Sequence, residues 1–230
     1  MSKKKIIIAL DFENQNEAMH FASGLDPSLC NLKVGSQLFT SSGPVIIEKL
    51  KSLGFDIFLD LKFYDIPNTV YGSVRSAIQM GVWMLNVHAS GGTQMMISAK
   101  EALRNAKGEV PILIGVTLLT SFSHEDANQL GIKSVDERVM SLANLVKLSG
   151  LDGVVCSPRE IKKIKKEFGK DFLVISPGIR IPSDESHDQS RIATPLEAAR
   201  NGADYLVIGR SITRSKNPIA TLESIVEELN

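Results

Sequence analysis

Ile57-Phe58-Leu59-Asp60-Leu61-Lys62-Phe63-Tyr64-Asp65-Ile66-Pro67 is an apolar run that gives out in charge. Its first part, Ile57–Leu61, has the length and composition of a buried strand, and Pro67, which cannot donate to a ladder, marks where the strand must already have ended. Outward from it the same unit recurs. Short apolar runs occupy Ile6–Leu10, Leu32–Val34, Val82–Val87, Ile112–Leu119, Gly153–Cys156, Phe172–Ile175 and Tyr205–Ile208, each followed by a segment with helical periodicity. Ala18, Phe21, Ala22 and Leu25 form one apolar stripe, and Leu222, Ile225, Val226 and Leu229 repeat its spacing. Gly24, Gly54, Gly81, Gly108, Gly150, Gly169 and Gly202 fall where such helices should stop.

Strands that are apolar almost throughout are buried on both faces, which is the mark of a parallel sheet. Eight units in 230 residues leave about 29 each, enough for a strand, a helix and two short connections. Eight such units close most economically as an α/β fold of the (β/α)8 TIM-barrel type, with an open doubly wound sheet as the alternative. No Gly-x-Gly-x-x-Gly follows the first strand, which counts against a dinucleotide fold. No linker, low-complexity tract or composition shift divides the chain, so residues 1–230 read as one domain.

Lys plus Arg and Asp plus Glu both number 26, and this zero balance argues against nucleic-acid or membrane-surface partners. Lys3-Lys4-Lys5 before Ile6–Leu10 imitates a signal peptide, but the run stops at Asp11, short of the roughly 7–15 apolar residues required. No run approaches the ~18 apolar residues of a membrane span. The expectation is a soluble, cytoplasmic protein, with Cys30 and Cys156 as buried structural thiols.

In such barrels chemistry sits at the C-terminal ends of the strands. The polar residues found where apolar runs give out are Asp11, Lys33, Asp60, Lys62, Asp65, His88, Thr120, Ser157, Arg180 and Arg210. A buried, unpaired charge costs several kcal/mol, so charges alternating in sign from Asp11 to Asp65 are there for one another or for a ligand. Asp60 and Lys62 share a strand face through the period of two. A lysine between two carboxylates stays protonated and keeps them ionised, and Lys33 closes a Lys–Asp–Lys–Asp row. On spacing alone, a salt-bridge network at the barrel rim and a catalytic row both remain open.

Asp60-Leu61-Lys62-Phe63-Tyr64-Asp65-Ile66-Pro67-Asn68-Thr69 resembles the Asp-x-Lys-x-x-Asp signature of orotidine 5′-phosphate decarboxylases, the bacterial form in particular. The likeness runs in order from about residue 6 to 218, through Ala9-Leu10-Asp11, Lys33-Val34-Gly35, Val87-His88-Ala89, Gly91-Gly92 and Leu119-Thr120-Ser121. It continues through Ser176-Pro177-Gly178-Ile179-Arg180, Asp188-Gln189 and Ile208-Gly209-Arg210-Ser211.

The resemblance implies a homodimeric (β/α)8 barrel that converts orotidine 5′-monophosphate to UMP and CO2, with neither metal nor organic cofactor. It assigns Lys62 as proton donor to C6 and sets Asp60 beside the substrate carboxylate. Asp65 and Lys33 hold the charges, Asp11 and Lys33 bind the ribose, and Thr120 meets the pyrimidine edge. Asp65 and Thr69 would enter from the neighbouring subunit, Pro177 would join the substrate contacts, and Gln189 would grip phosphate from a closing lid.

Gly209-Arg210 stands after the eighth strand, where barrels commonly hold phosphate, and Arg180 adds a fork-shaped cation. The long polar loop Ile181–Pro195 around Gln189 fits a functional segment. A metal-dependent branch of the superfamily shares Asp-x-Lys-x-x-Asp but carries a metal-binding Glu where this chain has Lys33. His20, His124 and His187 read as surface residues, and His88 as either a site residue or a rim histidine. The helix with Lys162, Lys163, Lys165 and Lys166 reads as a solvated face over Ile161, Ile164 and Phe168.

Overall fold

Eight parallel strands pair in sequence order and close into a barrel. They are β1 (Ile6–Ala9), β2 (Cys30–Gly35), β3 (Ile57–Phe63), β4 (Met84–His88), β5 (Ile112–Val116), β6 (Gly153–Val155), β7 (Leu173–Ser176) and β8 (Tyr205–Ile208). The last returns to the first with Ile6 opposite Leu206 and Ile8 opposite Ile208. The computed structural model describes residues 4–181 and 193–230. Among these, no helix is long and apolar enough to cross a membrane.

Each expected run overlaps a strand: Tyr205–Ile208 is β8 as read, and the other seven shift at one end or both. The run to Leu119 ends its strand at Val116, and the one from Val82 starts it at Met84. β2 extends beyond Leu32–Val34 in both directions. The period of two divides the apolar residues into two bodies. Ile7, Ala9, Phe58, Met84, Ile114, Ile175, Tyr205 and Val207 form the cluster inside the barrel. Ile6, Ile8, Leu32, Leu59, Leu85 and Leu113 point the other way, into the larger cluster with the helices, which includes the expected Ala18, Ala22, Leu222 and Ile225. Both cysteines are buried, free thiols.

Toward the C-terminal ends of β2, β3 and β4 the inward rows change character. Lys33 follows Asn31 on β2, Asp60 follows Phe58 on β3, and Asn86 follows Met84 on β4, all largely buried. The barrel interior is therefore mostly apolar below, with Asn31 its polar exception on β2, and charged at one mouth.

Opposite that mouth, lysines clasp aspartates that stand just before strands. Lys4 pairs with Asp56 at 2.7 Å, Lys100 with Asp152 at 2.8 Å and Lys165 with Asp204 at 2.7 Å. This corrects the expectation for Lys165. It is half-buried and also donates to the carbonyls of Lys170 and Phe172, tying the helix Ile161–Phe168 to the strand bottoms, whereas Lys162, Lys163 and Lys166 are solvated. Among the expected stop glycines, Gly24 differs, capping its helix at φ −88°, while the other six lie at positive φ. Gly108 stands three residues beyond the cap Asn105 rather than at it.

Candidate active site

β3 leaves regular pairing as it reaches the mouth. From Leu59 to Phe63 it advances four residues while β4 advances two, from Leu85 to Val87. Within this bulge Lys62 has φ 51°, the single non-glycine at positive φ among the described residues. That conformation costs an L-residue about 1–2 kcal/mol. Asp60 and Lys62 therefore meet through a bulge rather than on the flat strand face that a period of two implies.

Lys62 Nζ donates to Asp60 Oδ1 at 2.8 Å, and Lys33 Nζ lies 3.2 Å from both Asp60 Oδ2 and Asp11 Oδ1. Burial alone would lower the Lys33 pKa, but the facing Asp60 and Asp11 carboxylates override it and hold it above its ordinary value. Burial would likewise raise Asp60, and the Lys33 and Lys62 ammonium groups, with hydrogen bonds from Lys62 and Asn86, bring it below the usual carboxylate range. Asp60 thus stays an anion and Lys33 a cation while almost out of solvent. Lys62 ends the row with 37% of its side chain exposed, the accessible cation of the two.

The row forms part of a cavity of about 770 Å3 at this mouth. Asp11, Lys33, Asp60 and Lys62 share the lining with Thr120, Pro177, Arg180, Gly209 and Arg210. Its size lies within the roughly 300–1,000 Å3 of small-molecule sites. Arg180 is buried, with Nη1 donating to the Ile179 carbonyl at 3.0 Å, and Arg210 opens the short helix Arg210–Thr213.

Other expected residues lie elsewhere. Asp65 is exposed, its Oδ1 accepting from Ile66 N at 2.6 Å, and among the described residues it forms no ion pair. Within one chain the row is therefore Asp11–Lys33–Asp60–Lys62, with Asp11 rather than Asp65 as its second carboxylate. Thr69 is exposed on the helix Pro67–Gln79, away from this cavity's lining. Gln189, Asp188 and His187 fall outside the described residues. Ser157 is buried outside the lining, and His20 is exposed as expected.

His88 belongs to a second cavity, of about 700 Å3, with Tyr64, Leu119, Leu130 and Arg138. Its Nδ1 accepts from Ser90 N at 3.2 Å and its ring stacks on Tyr64, centroids 5.6 Å apart. Burial first, then the Lys62 and Arg138 charges, push its pKa down.

Sequence reasoning missed Asn86, which is buried against the row, and Arg214, which lines the cavity. Both had a signal: Asn86 interrupts the apolar Met84–Val87, and Arg214 stands four residues after Arg210, one helical turn on.

Residues 4–225 match the model of the orotidine 5′-phosphate decarboxylase / HUMPS family. The orotidine 5′-phosphate decarboxylase of Nitrosomonas eutropha is 52% identical over 230 residues, covering 100% of this chain and 98% of that protein. Its counterpart in Actinobacillus succinogenes is 52% identical over 222 residues, covering 96% of each. The crystal structure of orotidine 5′-phosphate decarboxylase from Lactobacillus acidophilus superposes with a TM-score of 0.87 at 41% identity, covering 99% of this chain and 100% of that one.

Proposed function

This chain belongs to the orotidine 5′-phosphate decarboxylase / HUMPS family, and we propose that it removes CO2 from orotidine 5′-monophosphate to leave UMP. The enzyme class, an orotidine 5′-phosphate decarboxylase of pyrimidine biosynthesis, comes with its full-length relatives. In this reading it works with no metal and no organic cofactor, and Lys62 is the proton donor to C6.

The observation that carries this reading is the buried row ending in Lys62 Nζ, 2.8 Å from Asp60, at the wall of a substrate-sized cavity. When the bond from C6 to the carboxyl carbon breaks, the electron pair stays on C6 with little resonance relief. An ammonium at that point attracts the growing charge, then transfers a proton to C6 and is recharged from solvent. Asp60 beside the departing carboxylate adds like-charge repulsion in the ground state. Lys33 lies between two carboxylates near the end of β2, and in this reading its charge would repel a divalent cation.

Binding energy from remote groups serves the reacting centre. In this reading Arg210, Gly209, Arg180 and Gln189 hold the phosphate, Asp11 and Lys33 the ribose, and Thr120 and Pro177 the base. One domain of residues 1–230 supplies them in the cytoplasm, a setting that suits the two free thiols.

The reading also includes a homodimer with shared sites, Asp65 and Thr69 completing the partner's cavity. Its support is local: Tyr64, Ile66, Leu119 and Leu130 are exposed apolar residues, and Tyr64, Leu119 and Leu130 line the second cavity, next in the chain to the exposed Asp65. A two-fold axis makes such an exchange reciprocal.

The test of the reaction follows orotidine 5′-monophosphate absorbance with purified protein in excess EDTA. Turnover that EDTA leaves unchanged is expected. A requirement for Mg2+ would transfer the chain to the metal-dependent branch.

A further inference from the structure

Asn86 has no part in the reaction just described, yet both ends of its amide are engaged at the centre of the site. It is 1% exposed and points inward from β4. Its Oδ1 accepts from Lys62 N at 2.7 Å, and its Nδ2 donates to Asp60 Oδ1 at 2.7 Å. These partners fix the amide's orientation, since a main-chain N–H must meet oxygen and a carboxylate must meet the NH2 group.

We infer that Asn86 is a positioning residue, holding the bulged Lys62 peptide and the Asp60 carboxylate in one frame so that the Lys62 ammonium meets substrate at a fixed point. The inference rests on the reading of Lys62 as proton donor. The bulge is what makes such a residue necessary. Between Leu59–Leu85 and Phe63–Val87 the ladder is interrupted, and a side-chain oxygen takes the place of a strand carbonyl for Lys62 N. A left-handed lysine persists where its surroundings over-determine it. Asp60 Oδ1 then accepts from Lys62 Nζ and Asn86 Nδ2 together, leaving Oδ2 toward Lys33.

Only a neutral group that both donates and accepts fits this place. Lysine or arginine would add a cation competing with Lys62 for Asp60. Aspartate would set a second carboxylate against Asp60, and leucine would leave a buried N–H and a carboxylate oxygen each short of a partner. Phosphate and ribose contacts come from other strands, so displacement of Lys62 should be felt in the chemical step.

The experiment compares Asn86→Ala and the isosteric Asn86→Asp with the wild type, measuring kcat, KM and UMP affinity. A loss of about 100-fold in kcat, with KM and UMP affinity within about threefold, is expected in both, as for misplacement of a group that acts mainly in the transition state. If Asn86→Ala does not fold, Asn86→Asp decides. Wild-type kcat in a folded variant overturns the inference, as does loss of UMP binding in step with kcat or loss of folded protein in both variants. Those results would leave Asn86 idle or merely structural. Absence of turnover in the wild type would instead defeat the reaction reading itself.

Discussion

The Lys33 ammonium stands 3.2 Å from Asp60 Oδ2, with both side chains nearly out of solvent. The pair is a buried ion pair whose charges depend on each other, so it ties stability to pH at both extremes. Asp60 is held below its ordinary range, so its contribution is present above about pH 3.9 and is lost as pH falls through the folded-state value. Lys33 is held above its ordinary range, so its contribution is complete below about pH 10.4 and is lost as pH rises through the folded-state value. Urea midpoints between about pH 5 and pH 2 should fall less steeply in Asp60→Asn than in the wild type. Parallel curves would show that Asp60 does not carry this dependence.

Arg210→Ala should raise KM for orotidine 5′-monophosphate while leaving the slow turnover of orotidine, which lacks phosphate, near its original value. A charge-assisted contact of this kind contributes about 1.5–3 kcal/mol, or roughly a ten- to hundredfold change in KM. Equal losses on both substrates would make Arg210 part of the framework instead.

The shared site can be tested by mixing. Lys62→Ala and Asp65→Ala subunits, dissociated and reassembled in equal amounts, give half mixed dimers. If Asp65 acts on the partner, each mixed dimer has one site with both native groups, and about a quarter of wild-type activity returns. Activity at the parental floor, with mixed dimers demonstrated, would confine Asp65 to its own subunit.

Gly153→Ala should weaken the barrel at β6. A Cβ there would run into the Leu173 carbonyl oxygen on neighbouring β7, and backbone cannot swing aside as a long side chain does. Overpacking of this kind costs about 1–3 kcal/mol, read as a lowered urea midpoint. An unchanged midpoint would mean that β6 and β7 separate without penalty.

The barrel was legible because strands buried on both faces and helices buried on one leave different periods in the chain. Asp60, Lys62, Lys33 and Asp11 were legible because charge is rare where apolar runs end. The bulge was not, since nothing in Asp60-Leu61-Lys62 distinguishes a flat strand from one that gains residues on its neighbour. The role of Asn86 follows from that bulge and was hidden with it. Lys165 was misread because a clasp to Asp204, 39 residues away, leaves no mark in the local pattern.

In the proposed reaction the buried row presents Lys62 as the proton donor. Single-turnover and steady-state decarboxylation by Lys62→Ala, with folding and UMP binding measured on the same sample, tests it most directly. A folded, UMP-binding protein whose decarboxylation is nearly abolished is expected. A folded Lys62→Ala protein that keeps a tenth of wild-type kcat would contradict it.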